Sequence, residues 1–593
     1  MKCLTLLMVA FLSLDAPLFP KQDWKHEGSI FILTTPEGAN LPASAMVEGF
    51  PLLVRLDKDW FDFNQAKDNG EDIRFVDREG KPLAYQIELW DKAKGTACIW
   101  VKIPVIKGND RQEIKLLWGN PGAQSESDGK AVFNSDNGYV SVLHLDNLLK
   151  DELGALSPKN LGTTSSVGII GESRHFMPGK GIQCGDHITT YPYGDSAFTS
   201  EAWVRPQSTS NSFFYWGRYA TRLNGKTGDG NEVELWIGSP ASFNWSSDGP
   251  GGVRCPTEIK MNQWYHVAAT YENGTSNLFI NGKKEATRFH KSAMSVVRDI
   301  VVNIGGMRGG NYKYSGDIDE VRVSKVARSE DWMKLQYENQ NPNQTLVGPL
   351  VQKGSAFELS HAKLDVLEGT SAKVVAKAPG AQKIYWIIKK DGVDTLASVD
   401  RFSFTLPPTR VTSNTSMILQ FKAVYAEGVK TKDIPIAITE HIPEPIATLK
   451  APDKWNGRDT IEVIPVLGNK DAMLARNAGD VKTTWSVIGG AVIKEVKPDR
   501  LILKRSQYSG EISVRAAFNN GGADTFAFAK IMVTEPKSDP WVPRLPGKDE
   551  KPVNNQFYAR DDKNEGTLYY NGITPSGVDA VALNLFANDK LVK

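Results

Sequence analysis

The sequence is poor in cysteine and histidine and carries no excess charge of either sign. Its 593 residues include 4 cysteines and 8 histidines. Cys3, Cys98, Cys184 and Cys255 form no CxxC pair and no Cys/His spacing of the zinc-binding kind. Lys and Arg number 70 against 69 Asp and Glu, a net charge of +1. That balance excludes the strong field of a nucleic-acid binder or of a protein held on an anionic membrane. Beyond the first residues, no stretch is long and apolar enough to span a bilayer. Helical periodicity longer than a turn or two is scarce as well.

What is present suits β structure. Short alternating apolar and polar runs recur, bounded by Gly, Asn, Asp and Pro, among 52 Gly, 32 Pro and 15 Trp. Charged residues at 23% and hydrophobic residues at 40% are globular proportions. At roughly 150 residues per domain, the length predicts about four domains. The pattern reads as all-β, tandem β-sandwiches.

The opening MKCLTLLMVAFLSL has one Lys and then a short apolar run. It reads as a secretory signal over residues 1–20, although Ala16 is followed by Pro17 and no clean small-x-small site appears. A secreted, periplasmic or cell-surface bacterial protein is expected. Cys3 would leave with the signal. Cys98, in TACIWVKIPV, is expected to pack as a small buried hydrophobe. Cys184 and Cys255 fall in one expected domain and either pair in an oxidising compartment or remain thiols.

Residues 23–133 carry three blocks: FPLLVRLDKDWFDF, GEDIRFVDREGKPLAYQIELWDKAKGTACIWVKIPVI and EIKLLWGNPGAQSESDGKAVF. With Asp72-Ile73-Arg74-Phe75, the Trp90/Trp100 pair and Trp118-Gly119-Asn120, they resemble a bacterial domain of unknown function that often precedes laminin-G-like modules. The resemblance implies a β-sandwich and no known chemistry. Trp118 departs from the Tyr commoner there.

Residues 135–350 carry FTSEAWVRP, with Phe198, Ala202 and Val204 on one face and Glu201 and Trp203 on the other. WYHVAATYENGTSNLFINGKKEA follows, with hairpin signals at Asn273-Gly274 and Asn281-Gly282. DIDEVRVSKVARS closes the unit before a short helix, EDWMKLQYENQ. In order, these resemble the laminin-G-like, concanavalin A-like jelly roll. Residues 354–441 and 446–535 each place a Trp, Trp386 and Trp485, on a strand, and resemble immunoglobulin-like sandwiches without the Cys pair. Trp203, Trp264, Trp386 and Trp485 are expected in cores. A Pro-rich spacer, 536–555, precedes the start of a further β domain at 556–593. That tail resembles the segment leading into the esterase domain of planctomycete-type sialate O-acetylesterase proteins. The Gly-Gln-Ser-Asn block of those proteins does not occur here, so the resemblance implies the front part of a split or longer enzyme.

Catalytic patterns are sparse. Gly194-Asp195-Ser196 begins like a GDS nucleophile motif but runs into an alternating strand, where a turn is the expected reading. Gln124-Ser125 lies in a loop after a strand. Glu232 and Glu234 lie two apart on one strand face, and paired carboxylates roughly 5 Å apart would suit retaining glycoside hydrolysis. Two acids on a solvent face are the commoner reading. The Gly305–Tyr312 run lacks a P-loop Lys-Ser/Thr and reads as a loop.

The laminin-G-like resemblance implies glycan or protein binding and a structural Ca2+ at the sheet rim. Asp319 matches the closing motif and Asp186 the early strand-end acid, and oxygen ligands suit a hard cation. The aromatic-rich stretch from Phe213 to Trp245 is the expected glycan surface, because sugar faces stack on rings. Tyr215, Trp216, Tyr219, Trp236 and Trp245 are the candidate rings, with Arg218, Asn231 and Asn244 as polar contacts. Alternation requires about half of these rings to face inward. Trp245, in NWSSDGPGG, is expected on a loop. The expected partners are polysaccharide or glycoprotein glycans, or protein ligands in an adhesion role.

Overall fold

The computed structural model describes residues 23–209, 211–218, 232–238, 241–247, 252–290, 300–307, 311–457, 459–505 and 510–534, with short strands at 556–559, 568–571, 586–587 and 590–591. The expected signal at 1–20 and the Pro-rich spacer lie outside the described residues. The chain divides into two compact units. One comprises residues 1–362, 373–404 and 417–435; the other comprises 363–372, 405–416 and 436–593.

The first unit begins with a sandwich. Met46–Asp57, Thr96–Lys107 and Tyr85–Asp91 form one sheet. His26–Leu33, Arg111–Trp118, Ile73–Asp77 and Pro82–Leu83 form the other. Alternating Leu52, Val54 and Leu56 meet Ile99, Trp100 and Val101 in its core. Cys98 packs there as expected, and burial pushes its thiol up to about 12.

The jelly roll follows. In its eight-stranded sheet, Gly316–Ser324 lies between Glu172–Phe176 and Phe198–Pro206, with Tyr139–Leu143 paired beside it. Tyr265–Glu272, Thr275–Ile280 and Lys283–Phe289 continue that sheet outward. Both Asn-Gly turns form as predicted: Asn273 and Gly274 have φ 48 and 74, Asn281 and Gly282 φ 51 and 74. Two successive positive φ values give the hairpin turn whose twist matches that of its strands. The opposing sheet runs Val253–Arg254, Phe243–Ser247, Glu232–Ile237, Asn211–Arg218, Ile300–Ile304, Ile182–Ile188, Lys159–Asn160. Phe198, Ala202 and Val204 face the core between the sheets, as their alternation requires.

The sandwich and the jelly roll do not sit as separate beads. The helix Glu330–Gln340, capped by the Ser329 hydroxyl accepting from the Trp332 N–H, wedges between them. Trp332 and Leu335 enter the core of the first sandwich. The Asn339 side chain accepts from the Leu53 N–H at 2.6 Å and donates to the Leu53 carbonyl at 2.9 Å, completing a pairing that a strand would otherwise make. On its other side the helix covers the eight-stranded sheet: Trp203 stacks on Tyr337 and donates to Gln340 Oε1 at 2.6 Å. The closing strand is therefore buried on both faces over its whole length.

Lys383–Lys390 also belongs to the first unit and turns at Asp391-Gly392 into Val393–Val399. Trp386 is buried, 4.7 Å from the Phe421 ring. In the second unit, Leu364–Leu367 pairs in parallel with residues Ile436 to Thr439, and Lys454–Trp455 in parallel with Met532 and Val533. Two four-stranded sheets enclose Trp455, Val463, Leu501 and Ile512. Two of the four expected core tryptophans are only half-buried: Trp485 at the edge of that core, and Trp264 beneath the Arg205 guanidinium at 5.3 Å.

Candidate functional site

The candidate rings divide by strand alternation. On Asn211–Arg218, Phe214 and Trp216 face the jelly-roll core. Trp216 is 0% exposed, edge-on to Tyr191 and Phe198, with its indole N–H donated to Ser200 Oγ at 3.3 Å. It is a core residue, which corrects its assignment as a ligand contact. Burying such a ring stabilises the fold by about 2–3 kcal/mol.

Tyr215 lies between these two and outside the core cluster, on the sheet's other face. It is also 0% exposed, so the expectation of an exposed ring is corrected for it too. Its register shows what it belongs to. Tyr215 is opposite Glu234 on one side and Asn303 on the other, and Asn303 is opposite Gln183. These four polar side chains cross four adjacent strands at one level. Each is flanked along its strand by core residues: Ile182 and Cys184, Val302 and Ile304, Phe214 and Trp216, Val233 and Leu235. A second row runs Ser212, Trp236, Asn244, Arg254. One face of this sheet is therefore the oily half of a sandwich, and the other carries two polar and aromatic rows, most of whose members are themselves buried.

Within those rows Trp236 is half-buried, yet its indole N–H and the Ser212 hydroxyl are buried without a hydrogen-bond partner among the described residues. Asn244 is buried and donates to the Ser242 carbonyl at 2.9 Å, with the Arg254 guanidinium donating to Ser242 Oγ at 2.9 Å. Gly238 leaves room for this amide: a Cβ there would come 2.7 Å from Asn244 Nδ2. Trp245 corrects another expectation. It lies within the strand Phe243–Ser247, opposite Leu235 and Val253, and not on a loop. Its side chain, the Arg218 and Glu232 side chains, and all of Tyr219 and Asn231 lie outside the described residues.

For the two cysteines the second of the two expected outcomes holds. Cys184 and Cys255 are free, buried thiols. Cys184 is on Ile182–Ile188 and Cys255 follows Val253–Arg254, with four strands of the sheet between them. At about 4.8 Å per strand that is roughly 24 Å, whereas a disulfide needs Cα atoms within about 7 Å.

Asp319 is not at a rim. It is 0% exposed, and its Oδ2 accepts from the Ile169 and Ile170 N–H groups at 2.9 and 3.2 Å. Burial, with Glu320 and Glu88 nearby, pushes its carboxyl well above the usual carboxylate range. Asp186 is exposed on a strand of the opposite sheet. Calcium takes six to eight oxygen ligands with charged carboxylates among them. Asp319 and Asp186 lie on separate sheets and so do not form one such site together.

Asp319 instead borders an ion cluster that the sequence reading missed. Opposite the closing strand, Glu201 pairs with Arg322 and Trp203 with Asp319, so one extra residue is inserted there, and Glu320 has φ 52. This bulge interrupts the alternation at two consecutive acids. Glu320 accepts from Arg322 and from His144 Nδ1, the latter at 2.8 Å; Glu88 of the first sandwich lies 3.3 Å from the same nitrogen. His144 Nε2 faces Gln86 Oε1 at 3.4 Å, and Trp100 donates to Glu88 at 2.5 Å.

Glu88, His144 and Glu320 have the composition of a metal site. Both imidazole nitrogens, however, face acceptors, which suits an imidazolium. Burial opposes that charge, but Glu320 and Glu88 outweigh it and raise His144 to about 9. Burial also raises Glu88, to about 8, whereas His144 and Arg322 hold Glu320 down at about 2 despite its burial. The arrangement suits a protonated imidazole held between the two carboxylates. The adjacent acids Asp319 and Glu320, which break a strict alternation, were the available signal.

Residues 181–334 match a family model described as the Concanavalin A-like lectin/glucanases superfamily. Residues 69–140 match a domain of unknown function, DUF2341. The polar rows thus belong to a concanavalin A-like domain, and the ion cluster joins that domain to its DUF2341 neighbour. No curated protein matches the chain. Among solved structures, the chain is similar to domain 4 of AbnA, an extracellular GH43 arabinanase from Geobacillus stearothermophilus, solved in complex with arabinotriose. That match has 20% identity and a TM-score of 0.26, over 33% of this chain and 97% of that one. It is also similar to the binding domain of Paraclostridial Mosquitocidal Protein 1, with 9% identity and a TM-score of 0.28 over 66% and 89% of the two chains. For Trypanosoma rangeli sialidase the values are 10% and 0.26, over 42% and 41%.

Proposed function

We propose that this is a secreted or cell-surface protein that binds polysaccharide or glycoprotein glycans, without cleaving them, through the outward face of the seven-stranded sheet in its concanavalin A-like domain. The observation that carries this reading is the double polar row on that face, with the Trp236 ring at half-burial and its N–H and the Ser212 hydroxyl unpartnered. A sugar offers an apolar CH face to such a ring and hydroxyls to such donors and acceptors. Buried polar atoms left unpaired are costly, and a ligand that pairs them recovers that cost. The flanking core residues hold the rows rigid, so little ordering entropy opposes binding. Glu234, Asn303 and Asn244 stand beside Trp236 in the two rows, so a change at Glu234 alters the polarity of the face that the ring belongs to.

The test is a glycan array and affinity electrophoresis with the intact protein, repeated with Trp236→Ala and Glu234→Gln. Retention by at least one glycan, lost in Trp236→Ala while the melting temperature holds, is expected. Absence of binding to every polysaccharide, or binding indifferent to both changes, removes the reading.

A further inference from the structure

The second compact unit carries a sheet face on which aromatic rings and cations stand exposed. Lys454–Trp455, Thr525–Val533, Gly510–Asn519 and Lys482–Ile488 lie side by side in one four-stranded sheet. Alternation turns Ile512, Val514, Ile531 and Val533 into the core and their neighbours outward. Among the described residues, four aromatic side chains are exposed: Tyr193, Phe289, Phe526 and Phe528. Phe526 and Phe528, 44% and 65% exposed, occupy successive outward positions of one strand. Such positions lie about 7 Å apart along a strand. We propose that this face is a second saccharide site, in a different unit from the concanavalin A-like face, and that it takes an acidic polysaccharide built of uronic acids.

Arg515 gives the face its selectivity. It is opposite Phe528 on the neighbouring strand, and its guanidinium lies over the Phe526 ring, 4.1 Å from the centroid. Glu511, an outward acid of the same strand, is taken by Lys530 at 2.9 Å. Asp524, just before the Phe526 strand, accepts from Asn519 at 2.8 Å. Among the described residues, therefore, no carboxylate answers the Arg515 guanidinium. Stacking on a ring fixes the plane of a guanidinium and leaves its N–H edge to grip a carboxylate with two parallel hydrogen bonds. On its other side Arg515 is opposite Ser486, and Thr484 is exposed two residues away on that strand, so hydroxyls adjoin the cation.

These features select the ligand class. Lys454 and Lys482, on the two edge strands, are exposed on the same face, so its strands present four cations against the one acid. A neutral polymer would leave Arg515 without a counter-charge. An apolar partner surface would have to strip it of water. An acidic peptide would meet the cations and leave the Phe528 ring in water. A nucleic acid would find no strong field around a chain whose net charge is +1. A uronic acid residue lays its CH face on Phe528 and its carboxylate on Arg515 at once.

The test uses the full chain carrying Trp236→Ala, so that sugar held on the concanavalin A-like face does not contribute and the two readings stand or fall separately. Polygalacturonate and alginate oligosaccharides are titrated calorimetrically. Dextran serves as the neutral polymer, poly-glutamate as the polyanion without sugar rings, and a single-stranded oligonucleotide as the polyanion with stacking bases. Binding of at least one polyuronate is expected, weakened by about tenfold or more in Phe528→Ala and in Arg515→Gln. Both side chains are exposed, so the melting temperature should hold. Arg500→Gln, on the other sheet of the same unit, should bind as its parent does. No polyuronate bound, binding unchanged by the Phe528 and Arg515 variants, an equal loss in Arg500→Gln, or equal binding of dextran, poly-glutamate or the oligonucleotide would each overturn the proposal.

Discussion

The two sheets of the concanavalin A-like domain share one oily core, yet their outer faces have opposite fates. The eight-stranded sheet turns Glu201, Trp203, Glu320 and Arg322 toward the helix Glu330–Gln340 and the first sandwich, where opposite charges answer one another. Burial acts to raise the Glu201 carboxyl, and His266 and Arg322 outweigh that and hold it below the usual range. The seven-stranded sheet turns Tyr215, Glu234, Asn303, Trp236 and Asn244 the other way; among the described residues the Trp236 and Ser212 donors there lack a hydrogen-bond partner, as do Glu201 Oε2, both His266 nitrogens and one Arg322 nitrogen on the first face, where the nearby opposite charges compensate. Polar residues alternating with apolar ones thus mark a strand with two faces. Whether the polar face serves folding or binding depends on what covers it.

The sharpest way to break this contrast is to remove one charge from the covered face. Arg322→Ala should cost about 3–5 kcal/mol, since it removes one of the two cations that hold the buried Glu320 carboxylate. Urea denaturation would read this as a large fall in midpoint. The same experiment on Trp236→Ala should show a much smaller fall together with loss of glycan binding. Equal destabilisation by the two changes would erase the distinction.

Next in size is the pH dependence of the covered face. The unfolded imidazole of His144 titrates near 6.5 and the folded one at about 9. A raised folded value means that the contribution is complete below about pH 6.5 and is lost as pH rises through about 9. Glu88, raised to about 8, acts in the same direction, so urea midpoints should fall steadily across that window. Glu320 acts at the acid end: held at about 2, it contributes above about pH 4.5 and that share is lost as pH falls through about 2. His144→Gln should flatten the alkaline slope. A slope equally steep in that variant would place the titrating group elsewhere.

A finer comparison stays on the seven-stranded sheet. Glu234→Gln keeps the shape and the hydrogen-bonding capacity of the side chain, so its effect on stability should be within about 1 kcal/mol. Glycan affinity should fall measurably by isothermal titration calorimetry if the carboxylate accepts from a sugar hydroxyl. The smallest effect concerns the thiols. With Cys98, Cys184 and Cys255 free, dithiothreitol should leave the melting temperature unchanged. A clear decrease would mean that a disulfide forms.

Much of this architecture was legible in the linear chain. Asn273-Gly274 and Asn281-Gly282 specify turns because Asn and Gly accept positive φ, and the face shared by Phe198, Ala202 and Val204 follows from period 2. Trp386 was rightly assigned to a core, as was Cys98. The candidate surface was only half legible. Local composition pointed to the sheet that carries the polar rows, but the assignment of Trp216 and the loop position of Trp245 failed. A bulge between Ser212 and Phe214 resets the alternation along that strand, and no local residue pattern announced it. Glu234 was noticed as a strand-face acid. Its neighbours Asn303 and Gln183, far away in the chain, were not.

By itself the sequence determined what local chemistry dictates: all-β strands, their turns, the short helix at 330–340 and the near-zero net charge. Only the tertiary structure decided which polar residues meet. Glu88, His144 and Glu320 come from separate segments. They are forced together because the helix Glu330–Gln340 and the first sandwich bury the second face of a strand whose first face already lies in a core. Burial converts solvent-facing charges into a network that must neutralise itself, and pairwise proximity of that kind is written in the fold and not in the spacing of residues.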